Sequence, residues 1–166
     1  ISAFKVKDEH GQTNSTAGVI HNMGMMSIRG ENAGKALSYL KRALALNIAA
    51  DNSVWLMNNY QAIGVVYADL LLQPDSAIYY HKLSMNKSEE LSYTLGQIGS
   101  YLNIGSAYIQ KGDYENAKTY YESALLLADS MNNKDYEGKI QEKLGIIAME
   151  HGDWDVAEMH FLNAIK

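Results

Sequence analysis

Four glycines, Gly24, Gly64, Gly105 and Gly145, recur at spacings of 40, 41 and 40 residues, and each follows an apolar residue (Met23, Ile63, Ile104, Leu144). A fixed period of this length constrains the fold more than any single motif, because each copy is a unit that buries its apolar face against its neighbours. Four further positions keep the same phase. Three residues past each glycine stand Ser27, Tyr67, Tyr108 and Ala148; a small residue follows at Ala36, Ala77, Ala117 and Ala157; then come Leu40, His81, Tyr121 and Phe161, and finally Ala43, Ser84, Ala124 and Ala164. The last three sets are four and three residues apart, so they share one face of a helix. A glycine inside a helix costs about 1 kcal/mol against alanine. Accepting that cost in four copies predicts close contact between helices, with Leu, Tyr and Phe filling the space between successive helix pairs.

Turn and cap signals divide each copy into two helices. Asn32, Asp113 and Asp153 precede the second helix of their copies and can accept hydrogen bonds from its first free N–H groups, while Gly112 and Gly152 end the first helices. The second copy departs from this pattern: its turn, at 70–76, is one residue longer and places Pro74 at the start of the next helix, where a missing N–H does no harm. Between copies, Asn52 or Ser53, Ser88 and Asp135 are candidate caps for the helices that follow. The second helices are expected to be long, as over 115–131. Stepping the small position back one further period lands on Ala3, followed by Phe4, so residues 1–10 read as the tail of a preceding second helix. The last copy stops at Lys166 in nearly the same phase, so the chain reads as a segment of a longer array whose uncovered ends are expected to be sticky.

Composition narrows the function classes. The net charge is −5, with eight Lys/Arg against fifteen Asp/Glu after residue 60, which argues against sequence-independent binding of nucleic acid. There is no cysteine, so thiol catalysis, disulfides and thiolate metal sites are excluded. No apolar run approaches the roughly 18–20 residues of a membrane span. The histidines, His10, His21, His81, His151 and His160, have no metal-binding helical spacing, and neither a nucleophile elbow nor a phosphate loop is present. No catalytic set, metal site or cofactor is expected. The expected compartment is the cytoplasm, with the periplasm left open.

The pattern around Tyr101, Ile104, Gly105, Tyr108, Gly112, Asp113, Tyr114, Ala117, Tyr121 and Ala124 resembles the tetratricopeptide repeat, and the fourth copy matches nearly as well. The long period is similar to that of Pins-type adaptors, Rap-type regulators and sensor segments of bacterial signalling proteins. The resemblance implies an all-α fold, a right-handed α-α superhelix of antiparallel helix pairs forming a single segment over 1–166. Its repeats would be 15–50, 53–87, 89–132 and a truncated 135–166, after the tail at 1–10. It also implies a concave groove, lined by the first helix of each pair, that holds a protein or peptide segment. The implied groove residues are His21, Asn22, Met25 and Arg29; Asn58, Gln61 and Val65; Asn103, Ser106 and Gln110; Lys139, Lys143 and Met149. Asn22 and Asn103, two residues before their glycines, suit a peptide backbone because an amide side chain both donates and accepts. Lys139 and Lys143, one turn apart, offer positive charge to an acidic ligand. Met23 is expected in the core. The functional expectation is a non-enzymatic scaffold within a larger regulatory protein. The alternatives are a ligand-responsive sensor segment of a transcriptional regulator or histidine kinase, and a self-assembly module acting through its ends.

Overall fold

The computed structural model describes residues 2–165, with side chains described from Thr16 onward. In order, the helices are α1 (Ser2–Arg29), α2 (Ala33–Ala49), α3 (Ser53–Val65) continued by a π-helical turn (Val66–Leu70), and α4 (Pro74–Glu90). They are followed by α5 (Thr94–Gln110), α6 (Tyr114–Ser130), α7 (Lys134–His151) and α8 (Trp154–Ala164). Short turns fold each first helix onto its second, giving the pairs α1–α2, α3–α4, α5–α6 and α7–α8. Two units are distinguished, Ile1–Ser92 and Tyr93–Lys166, each containing two pairs. In the first, α2 also packs on α3; in the second, α6 packs on α7.

The in-phase glycines are the points of closest approach within each pair. A Cβ added at Gly24 would lie 2.7 Å from Leu40, at Gly105 2.5 Å from the Tyr121 ring, and at Gly145 2.8 Å from the Phe161 ring. At Gly64 the same role falls to the His81 ring. The large in-phase residue therefore sits over the glycine of its own pair, not only between successive pairs. Beyond the glycine it does meet the next helix: Leu40 shares a cluster with Ile63 and Val66, and Tyr121 shares one with Ile140, Leu144 and Ile147.

Caps follow the expectations at some helix starts and depart from them at others. Asn32, Asn52 and Asp113 accept from Lys35, Trp55 and Asn116 N–H respectively, at 2.9, 3.3 and 3.2 Å. Asp153 precedes α8 without a side-chain cap bond. Ser88 and Asp135 are not caps. Helix α4 runs on to Glu90, so Ser88 is buried inside it and donates to the Ser84 carbonyl at 3.0 Å, and α5 starts after Tyr93 without a side-chain cap. Helix α7 is capped by Asn133, which accepts from Tyr136 N–H at 3.2 Å, leaving Asp135 within the first turn.

Other departures concern helix length. The extra residue of the second copy is absorbed as the π-helical turn, where Leu71 N–H reaches back to the Val66 carbonyl at 3.1 Å. Helix α1 is continuous from Ser2, with no turn after the segment 1–10. A single interior glycine there, Gly11, costs only about 1 kcal/mol, too little to end a helix. The in-phase side chains of Ala3 and Phe4 lie outside the described residues.

Each helix-to-helix turn contains a residue in the left-handed region. Only Gly112 (φ 72°) and Gly152 (φ 80°) are glycines; the others are Glu31, Asp51, Leu72, Ser92 and Asn132, with φ of 48–54°. They allow the following N–H to close back on the helix, as Asp113 does on the Tyr108 carbonyl and Asn133 on that of Ala128, both at 3.0 Å. Leu72 is the costly one, a 74 % exposed leucine at φ 52°. Leu72→Gly is expected to raise stability by about 0.5–1 kcal/mol, read as a later urea midpoint, because the strain removed exceeds the added freedom of the unfolded chain. Asn132→Gly should move the midpoint much less, since asparagine tolerates this region. Equal shifts at the two sites would show that backbone strain is not the cause.

Candidate functional site

The residues expected to line a groove fall into two sets, one per unit. In the first unit, α1 carries Asn22, Met25 and Arg29, all exposed, and its neighbour α3 carries Asn58, Gln61 and Val65, all half-buried. In the second unit, α5 carries half-buried Asn103 with exposed Ser106 and Gln110, and α7 carries exposed Lys139, Lys143 and Met149. Spacings of three and four residues put each trio on α5 and α1 along one helical stripe, away from the stripe that carries the buried glycine.

His21 does not belong to this surface. It is 8 % exposed, its Nδ1 hydrogen-bonded to Asn59 Oδ1 at 2.6 Å, and its ring lies edge-on to Trp55 with centroids 5.3 Å apart. An amide oxygen only accepts, so the imidazole donates from Nδ1. Gly18 makes room for that indole, since a Cβ there would stand 3.2 Å from it. This buried polar group was not anticipated. Its signal lay in the repeat phase: Asn59 aligns with Ser100 and Ile140, and Asn47 with Ser88 and Ala128, placing amides where other copies carry small or apolar residues. Asn59 Nδ2 and both amide atoms of Asn47 are buried without a hydrogen-bond partner among the described residues, so these positions cost stability.

Three other placements sharpen the surface. Ser106 Oγ lies 3.0 Å from the Tyr121 hydroxyl, tying the exposed stripe of α5 to the ring that covers Gly105. Burial raises the Tyr121 pKa above the usual tyrosine value against the opposing effect of the Ser106 bond, so the pair is neutral at neutral pH. Lys139 Nζ stands 5.6 Å from the Tyr136 ring centroid, a cation–π contact, and Lys143, one turn on, is exposed. Met149 lines a depression of about 450 Å³ with Trp154, Phe161 and Ile165 rather than standing with the lysines alone. Met23, expected in the core, is 40 % exposed. A second depression, of about 400 Å³, lies beside it and is lined by Met23, Met26, Lys35 and Tyr39.

The chemistry available is therefore that of amides, hydroxyls, a few cations and exposed methionines. Among the described residues, no three His, Cys, Asp or Glu side chains gather to hold a metal ion, and no helix is long and apolar enough to cross a membrane.

Comparison with known proteins agrees with this architecture. Residues 98–130 match the family model of the tetratricopeptide repeat. Over 69 residues, 41 % of the chain, it is 35 % identical to mouse (Mus musculus) tetratricopeptide repeat protein 16. The matched stretch is 9 % of that protein's length. Among solved structures, the chain is similar to BtubC (BKLC) from P. vanneervenii, with a TM-score of 0.80 at 18 % identity, covering 98 % of this chain and 69 % of that one. It also resembles MamA, with a TM-score of 0.69 at 15 % identity over 90 % of this chain and 76 % of that one. The TPR domain of Arabidopsis FLU gives a TM-score of 0.64 at 21 % identity over 73 % of this chain and 98 % of that one. At these identities the structural likeness shows the fold alone.

Proposed function

We propose that this chain, which carries a tetratricopeptide repeat at 98–130 and folds as an all-α array of such helix pairs, is a non-enzymatic scaffold within a larger regulatory protein. It holds a protein or peptide segment against its first helices. The observation that supports this is a split between packing and display. Gly105, Ala117 and Ala124 are buried and keep their residue type or size in every copy, whereas Asn103, Ser106 and Gln110 become Asn22, Met25 and Arg29 in the first pair and stay open to solvent or half-buried. Variation along the displayed stripe, as at Ser106 and Gln110 against Met25 and Arg29, is where discrimination between partners resides. Amide side chains on it match the alternating donors and acceptors of an extended backbone, and Lys139 and Lys143 favour an acidic residue in the bound segment.

Selecting displayed random peptides on the folded chain provides the test. Asn103→Ala and Gln110→Ala are each expected to weaken the selected peptides about tenfold or more, near 1.4 kcal/mol, with an unchanged helical circular dichroism spectrum. Peptides that bind both variants as tightly as the parent would place the recognition surface elsewhere.

A further inference from the structure

In the third pair, a side chain of the second helix reaches past the glycine it covers to the displayed face of the first. Tyr121 is 2 % exposed over Gly105, and its hydroxyl lies 3.0 Å from Oγ of Ser106, which is exposed between Asn103 and Gln110 on α5. The residues in phase with Tyr121, namely Leu40, His81 and Phe161, carry no hydroxyl, and those in phase with Ser106 are Met25, Val65 and Ile146. A hydroxyl pair joining core to displayed stripe therefore belongs to this copy alone. Helix α7 already packs on α6 beside it, and Ser106 stays exposed with that neighbour in place.

The direction of the bond follows from burial. Ser106 Oγ is the one hydrogen-bond partner of the Tyr121 hydroxyl among the described residues. If Ser106 donated, the phenol hydrogen would be left buried and unpaired, which is costly. If Tyr121 donates, the serine hydrogen faces outward, where water or a ligand accepts it.

We propose that Tyr121 is a positioning residue for the displayed stripe: its hydroxyl donates to Ser106 and fixes that serine as a donor toward an acceptor oxygen of the bound segment. This rests on the reading that α5 holds a peptide. Asn103 and Gln110 carry amides that can turn either end to a ligand, so neither dictates the polarity of what it meets. Ser106, with one lone pair already occupied, chiefly offers its hydrogen. A hydroxyl that accepts one bond donates a stronger one, so the chain from Tyr121 through Ser106 to the ligand is cooperative. A main-chain carbonyl supplies such an oxygen, and so does a carboxylate or amide side chain.

Peptides selected from a displayed random library on the folded chain serve as probes, with affinities read by titration calorimetry. Tyr121→Phe removes the hydroxyl and keeps a ring over the glycine, as Phe161 does over Gly145. It is expected to weaken binding about fivefold, and Ser106→Ala, at an exposed position, about fivefold or more. The double variant is expected to bind no worse than Ser106→Ala, since the phenol acts only through the serine, and all three should keep the parent's helical circular dichroism. A Tyr121→Phe chain that binds like the parent, or that weakens binding equally with and without Ser106, would overturn the proposal. The displayed stripe would survive that result as long as Asn103→Ala still weakens the same peptides. Peptides indifferent to Asn103, Ser106 and Gln110 alike would remove the stripe and the proposal together.

Altered peptides locate the acceptor. Replacing the contacting amide by an alkene, or the contacting acidic or amide side chain by alanine, is expected to erase the difference between parent and Ser106→Ala. Whichever does so tells main chain from side chain. If methylating that amide nitrogen, which removes a donor and keeps the carbonyl, had the same effect, Ser106 would be accepting, and the assigned direction would be overturned.

Discussion

Gly105→Ala is expected to destabilise the chain by about 2 kcal/mol, and the sign of the effect is expected to reverse once Tyr121 is removed. The added methyl would stand 2.5 Å from Tyr121 Cε1, with Cδ1 at 2.8 Å and Cζ at 2.9 Å. Neither side can yield easily. The ring is 2 % exposed, held among Ala117, Ala124 and Leu144, with its hydroxyl paired to Ser106. Overpacking of this severity costs about 3 kcal/mol, against which alanine's better helix propensity returns about 1 kcal/mol. In a Tyr121→Ala background the space is empty and only the propensity remains, so the same substitution should stabilise by up to about 1 kcal/mol. Urea unfolding of the four proteins measures both effects. If Gly105→Ala destabilised equally with and without the ring, the glycine would be serving something other than close approach.

Acidification from pH 7 to 4 is expected to cost the parent roughly 3 kcal/mol more than it costs His81→Leu. His81 is 2 % exposed over Gly64, and its Nδ1 is buried without a hydrogen-bond partner among the described residues. Burial lowers its pKa from 6.5 to about 4, because the imidazolium would lose its hydration there. A depressed folded-state pKa means that the unfolded chain takes up the proton first as pH falls. The stability tied to the neutral ring is therefore whole above about pH 6.5 and drains away as pH drops toward 4, below which both states are protonated and the curve flattens. Leucine suits the control because Leu40 covers the equivalent glycine in the first pair. His160 is lowered in the same direction by its partial burial, but it is present in both proteins, so the difference between them isolates His81. Parallel stability curves for parent and variant would show that His81 is solvated in the folded chain.

The surface proposed to hold a peptide was legible in the sequence only as a set of displayed positions, where exposure follows from helix phase alone. Asn22, Arg29, Ser106 and Gln110 lie off the glycine stripe of their own helix, and a period near 3.6 places them outward whatever packs behind. His21 stands next to Asn22 and was assigned to the same surface, yet it is buried. Its position depends on Asn59 and Trp55, which are 38 and 34 residues further along and meet it only after α3 has folded against α1. Ser88 and Asp135 failed as caps for a related reason. Several polar residues near a turn can all accept a bond, and the chain reversal decides what flanks the helix: Asn133, which caps, after Asn132, but Tyr93, which makes no side-chain cap bond, after Ser92.

By itself the sequence determined the repeating unit: helix pairs, small residues at each crossing and turns after Gly112 and Gly152, because period, propensity and steric size are local properties that recur in every copy. The tertiary structure alone decided which in-phase residue covers each glycine, that an extra residue becomes a π-helical turn at Val66–Leu70, and that Met23 and Met26 are bare where Leu144 and Ile147 are buried. Residues in the same phase share a helix face, but burial is a property of two surfaces. Whether a face is core or exposed depends on what packs against it, which periodicity along one chain does not encode.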